Sequence, residues 1–238
     1  MTLSPERTKE RPIIFSAPMI QAILDGRKTQ TRRVLNPQPP KDFKPWAYYA
    51  DNGALMRVFT IRGESWKKYG DPAGWTARSR YGIPGDRLWV RETWLQFDGR
   101  PKPCDGIPDN AVIEYRADHP DGLPSGVDSD GDPYDAAKWK PSIHMPRWAS
   151  RITLEITDVR VERLQEISGA EAKAEGFYFP DIEKISRMEA FANTEEKMAN
   201  LYRDHFRGLW NSIHDTEGQK SWNSNPWVWA ISFKRISQ

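Results

Sequence analysis

The sequence predicts a mixed α+β fold, a small β-barrel flanked by a few helices and interrupted by long loop insertions. Three observations predict it. Several short apolar or alternating segments read as strands. Only a few segments carry helical spacing, and they do not alternate regularly with the strands, which argues against a doubly wound sheet. The third is composition: 19 Pro and 16 Gly in 238 residues, at a mean hydropathy of −0.76, require much irregular chain. Hydrophobic residues nevertheless make up 38% of the chain, with 11 Trp, 9 Phe and 8 Tyr, enough to build a core.

The elements follow in order. Residues 1–10 form a charged lead-in, and Pro12 to Ser16 is a short apolar run suited to a buried strand. Ser16 can cap a helix with Pro18 in its first turn and Met19, Ile20, Ile23 and Leu24 on one face; Gly26 is placed to end it. Arg27 to Leu35 then reads as a strand. Residues 36–80 show no sustained period and are expected to be an ordered loop. A turn at Ile83 to Asp86 introduces the strand Arg87 to Trp94, with Leu88, Val90 and Glu92 on one face and Trp89 and Arg91 on the other. A loop over 98–110 precedes a strand at Ala111 to Ala117. The acidic stretch from Asp118 to Asp135 contains Asp128, Asp130 and Asp132, but its glycine and glutamate spacing does not fit a calcium loop, so it reads as a surface loop. Arg151 to Leu164 alternates apolar and polar residues and is the clearest strand. Ser168 and Glu171 form a capping-box pattern opening a helix that ends near Gly176. Met198 to Ile213 has the spacing of a long amphipathic helix, and Trp227 to Ile236 is a final strand. The whole chain, 1–238, reads as one domain.

Composition excludes several classes. The net charge of +2 is too small for a protein that coats duplex nucleic acid, so any anionic partner must meet a local cluster such as Arg27, Lys28, Arg32 and Arg33. The single Cys104 excludes an internal disulfide and a cysteine-based zinc site. The histidines at 119, 144, 205 and 214 show no metal spacing, so no metal and no cofactor are expected. No apolar run is long enough for a membrane span and the N-terminal residues are polar, so the expected location is the cytoplasm.

The segment Ile23 to Arg33 is the most informative. As residues alone, it is a helix C-terminus followed by cations and hydroxyls, and the helix dipole is a sufficient reason for Arg27 and Lys28. The pair Gly26 and Lys28 followed by Arg33 resembles the signature Gly-x-Lys-x-x-Glu-x-Arg of the ASCH domain family, within the PUA-like superfamily. The Pro84-Gly85-Asp86 turn with its following strand, and the Ile152 to Ile156 strand followed by a capped helix, are similar to that family's second and third blocks. Thr31 stands where the broad signature has glutamate, a departure shared with the bacterial N4-acetylcytidine amidohydrolase subgroup, whose Arg-Lys-Thr-x-Thr-x-Arg pattern matches Arg27 to Arg33. The chain also resembles phage or prophage ASCH-type proteins over blocks such as GDRLWVRETW and NPWVWAISFKR. The resemblance covers roughly half the chain, with insertions at about 36–80, 98–145 and 177–197.

What the resemblance implies is a PUA-like barrel whose cleft handles a nucleoside or modified nucleobase. Carried over by position, Lys28 is the proton acceptor, Thr31 the nucleophile and Glu155 the proton donor. A threonine hydroxyl needs a base, and a lysine serves only when burial or neighbouring cations such as Arg27, Arg32 and Arg33 depress its pKa. The substrate-binding candidates are Arg27, Arg33, Glu92, Trp89 and His144. For Glu92 an ion pair with Arg91 or Arg33 is the plainer reading, and for any single Trp core packing. Two functions stay open: an amidohydrolase acting on N4-acylated cytosine or cytidine, and a module that binds RNA, DNA or a modified base without chemistry. Oligomeric state is left open by the sequence.

Overall fold

In the computed structural model the described residues are 8–39, 47–48, 57–58, 77–97, 112–121, 139–177, 194–214 and 217–236. Ten strands and three helices lie among them. β1 (Glu10–Ile14) runs into α1 (Ala17–Leu24), followed by β2 (Gln30–Val34). Three two-residue strands come next: β3 (Ala47–Tyr48), β4 (Arg57–Val58) and β5 (Ala77–Arg78). They pair antiparallel in the order β3-β4-β5, so the stretch expected to be loop contains a small sheet. Two-residue strands are too short to show a period, which is why the sequence hides them.

β6 (Arg87–Arg91) precedes a two-stranded ribbon of β7 (Trp94–Phe97) and β8 (Val112–Tyr115). β9 (Thr153–Arg163) leads to α2 (Gly169–Ala174), α3 (Thr194–Ile213) and β10 (Trp227–Ile236). The loop expectations at 98–110 and over most of Asp118 to Asp135 lie outside the described residues.

The main sheet has the order β1-β6-β9-β10-β2, parallel only between β1 and β6. The mixed α+β class therefore stands. Among the described residues, backbone bonds do not close the sheet into a barrel: β1 and β2 remain its edges. A side chain spans the gap instead, as Arg33 Nη2 donates to the Ile14 carbonyl at 2.6 Å.

Alternation decides what each face carries. One face of the sheet, with Leu88, Val90, Leu154, Ile156, Val159, Trp229, Ile231 and Phe233, packs against Ile20 and Ile23 of α1. Each fully buried Leu or Ile there contributes about 1.5–3 kcal/mol. On the other face Val228 packs with Leu164 and Ala172 and with Tyr202, Phe206 and Trp210 of α3. The molecule is thus three layers, α1, sheet, and α2 with α3. The capping box of α2 forms as expected, Ser168 accepting from Glu171 N and Glu171 reaching back to Ser168 N at 2.9 Å.

Candidate functional site

α1 ends where the sequence places its stop. Gly26 adopts φ +73°, and the amides of Arg27 and Lys28 both donate to the Ala22 carbonyl. This delivers Lys28 to the C-terminal end of α2, where it makes an isolated bridge with Glu175, while Thr29 N donates to the Ala174 carbonyl at 2.9 Å. The approach is close: Gly176, at φ +105°, leaves no room for a side chain, since a Cβ would lie 2.8 Å from Ala22 and 2.9 Å from Lys28. Glycine is required there twice over, by conformation and by space.

The Lys28 side chain is fully enclosed. Its Nζ donates to Glu175 Oε2 at 2.7 Å, to the Glu175 carbonyl at 2.9 Å and to the Gln30 carbonyl at 2.9 Å. Burial strips hydration from the ammonium and holds the Lys28 pKa below its ordinary 10.5; Glu175 opposes this and Arg33 and Arg32 add to it. The second oxygen of Glu175, Oε1, faces Arg32 Nη1 at 3.4 Å. Arg32 is itself fully buried, bonded to Gln30 Oε1 at 2.7 Å and ion-paired to Glu162 and Glu171, with its guanidinium over the Phe206 ring. Burial pushes the Glu162 carboxyl above its ordinary range despite Arg32.

Thr31 is buried and lines a cavity of about 220 Å³ along the β2 edge, together with Arg32, Arg33, Glu175 and, from α3, Phe206, Leu209 and Trp210. Lys28 lies behind this lining, its Nζ bonded to the carbonyl immediately preceding Thr31. The structure thus brings Thr31 and Glu175, which the sequence reading did not single out, to one cavity, and sets Lys28 behind it on Glu175 and the Gln30 carbonyl. The available signal was slight: Glu175 is one residue past the helix end and just before Gly176.

Glu155 is not brought to this place. Thr31 pairs with Ile231 of β10, whereas Glu155 pairs with Lys234, an odd number of residues along the same strand, so the two side chains point to opposite faces. Glu155 is partly exposed and ion-paired to Lys234 at 3.0 Å. On this face Glu155 meets a cross-strand lysine, not the cavity.

The binding candidates divide in the same way. Arg33 lines the cavity, held by Ile14 and stacked over Phe15. Arg27 is tied to Asp25 and to the Gly176 carbonyl. Glu92 is buried and bonded through both oxygens to Arg151, at 2.9 and 3.0 Å, which in turn holds Asp118. It is an ion-pair residue, but its partner is Arg151 and not the expected Arg91 or Arg33. Trp89 is buried under the Arg91 guanidinium, and His144 is exposed in a single 3₁₀ turn. None of Arg27, Glu92, Trp89 and His144 lines the cavity.

No group of three or more His, Cys, Asp or Glu suited to a metal occurs among the described residues, and no described helix is long and apolar enough to cross a membrane. No family model matches the chain, and neither the curated proteins nor the solved structures contain a match.

Proposed function

We propose that this protein is an amidohydrolase that removes the acyl group from an N4-acylated cytosine or cytidine, on a PUA-like scaffold of the ASCH type, with Lys28, Thr31 and Glu175 as its catalytic residues. The observation that carries the reading is the buried Lys28–Glu175 pair beside Thr31, at the cavity that Thr31 and Glu175 both line. Glu175 here takes the proton-donor role that the sequence resemblance assigned to Glu155. In favour of the barrel-like scaffold, Arg33 bridges the two edge strands and Phe15 N donates to the Arg91 carbonyl, continuing the β1–β6 pairing.

A buried lysine–glutamate pair can pass its proton between partners, because burial opposes two separated charges while their attraction favours them. With the proton on Glu175, the pair is at once a neutral amine and a carboxylic acid. Thr31 Oγ1 attacks the acyl carbonyl carbon and its proton passes to Lys28. The C–N4 bond then breaks, N4 takes the proton of Glu175, and cytosine leaves with its free amine. Water attacks the Thr31 ester and gives a proton to the Glu175 carboxylate. The threonine oxygen leaves with the proton of Lys28, which restores the starting pair and releases the carboxylic acid.

The test is release of cytidine from N4-acetylcytidine by the wild type and by Thr31→Ala, Lys28→Ala and Glu175→Gln. Turnover by the wild type, lost in all three, supports the reading. A second reading, a binding module without chemistry, is favoured by one observation: three acceptors surround Lys28 Nζ, the number a permanent ammonium needs. Absence of turnover in folded wild type, with oligonucleotide binding that weakens steeply with salt, would select it.

A further inference from the structure

Four cations cluster on and before β2, and three of them are neutralised. Arg27 pairs with Asp25, Lys28 with Glu175, and Arg32 with Glu162, Glu171 and Glu175. Arg33 has no carboxylate partner among the described residues; it donates to a backbone carbonyl and stacks on Phe15, two contacts that hold its guanidinium without supplying a countercharge. Across the same cavity, Lys220 also lacks an ion-pair partner among the described residues. Its segment is anchored to α3, since Trp210 Nε1 donates to the Lys220 carbonyl at 2.8 Å. Arg33 and Lys220 come from different elements and line one cavity, as does His214, packed against the Trp210 ring at 4.5 Å. Two cations without a carboxylate partner among the described residues, lining one cleft, favour an anion there.

The position of Arg33 says which part of the ligand that anion is. Arg33 lies two residues from Thr31 on the same face of β2, about 7 Å along the strand. With the reach of an arginine side chain added, the separation is of the order of a pyrimidine nucleotide, from exocyclic amine to 5′-phosphate. We propose that the cleft takes its base as a nucleotide, with the phosphoryl group held between Arg33 and Lys220. The inference rests on the proposed cytosine reading for the identity of the base, but not on the hydrolytic step.

Calorimetric titration of the full chain with cytidine 5′-monophosphate and with cytidine tests it, for the wild type, Lys220→Gln and Arg33→Gln. The expected result is about tenfold tighter binding of the nucleotide, an advantage that shrinks with added salt and in both variants. Because Arg33 also ties β2 to β1, its variant can fail to fold; Lys220 is exposed, and Lys220→Gln alone then decides. Equal binding of the two ligands, a nucleotide preference that survives Lys220→Gln, or no binding of either overturns the inference. The two proposals fail separately. Hydrolysis of N4-acetylcytidine without a nucleotide preference sinks this one and spares the amidohydrolase, and the reverse pattern does the opposite.

Discussion

Two buried glutamates, Glu175 and Glu92, each face a cation across the interior of this molecule, and the cation makes them different. Glu92 is held by Arg151. Burial opposes the charge on Arg151, but its bonds to Glu92 and Asp118 outweigh this and hold its pKa above the ordinary value; burial likewise pushes Glu92 up. An arginine never yields its proton, so this pair can only fasten the start of β9 to the end of β6. Glu175 is held by Lys28, whose pKa burial brings down. A lysine so placed can exchange a proton with its partner, and this pair sits beside a cavity and a threonine. The same geometric motif is thus a clamp in one place and, in the proposed mechanism, the proton-transfer pair in the other.

The largest expected difference is in rate. Under the proposed mechanism, Glu175→Gln lowers turnover of N4-acetylcytidine by about 10²- to 10⁴-fold, as loss of a general acid does, and Thr31→Ala leaves no acyl-enzyme in a quenched single-turnover assay. If Glu175→Gln turns over normally, the two pairs are alike and both are structural.

Removing Glu92 should act on stability instead. Glu92→Ala leaves Arg151 with Asp118 alone and is expected to cost about 2 kcal/mol in urea unfolding, with turnover per folded molecule unchanged.

The pairs should also respond differently to pH. Between the depressed folded-state value of Lys28 and its ordinary 10.5, the folded chain binds fewer protons than the unfolded one, so the Lys28 contribution to stability rises with pH. Activity runs the other way. The pair must keep one proton to serve as acid and base together, so turnover should fall through an alkaline limb below pH 10.5. Urea titrations of the wild type against Lys28→Met, beside a kcat profile, would reveal the opposed slopes. Parallel slopes would remove Lys28 from the proton path. The smallest effect belongs to Glu155→Gln. Its partly exposed pair with Lys234 should be worth less than about 0.5 kcal/mol and nothing in rate. A large loss of activity there would restore Glu155 as the acid.

Much of the fold was legible because it is locally encoded. The β10 segment, with strand-forming residues after a break at Asn225 and Pro226, matched residue for residue. α1 with its glycine stop, the capped α2 and the alternation of β9 also matched, since each depends on residues a few positions apart. Short β3, β4 and β5 carry no such pattern. In the site, Lys28 and Thr31 were legible because two residues separate them. Glu175 was not, since it stands 147 positions along the chain from Lys28.

By itself, then, the sequence determined the helices, the long strands and the lysine–threonine segment that α1 presents at its end. Caps and periodicities are short-range, and they act before any tertiary contact forms. Only the tertiary structure decided which carboxylate meets Lys28, which cations lack a carboxylate among the described residues, and that Glu155 points away. Those outcomes depend on the register of β9 on β10, where a one-residue shift reverses the face of every side chain, and on α2 packing against the β2 edge.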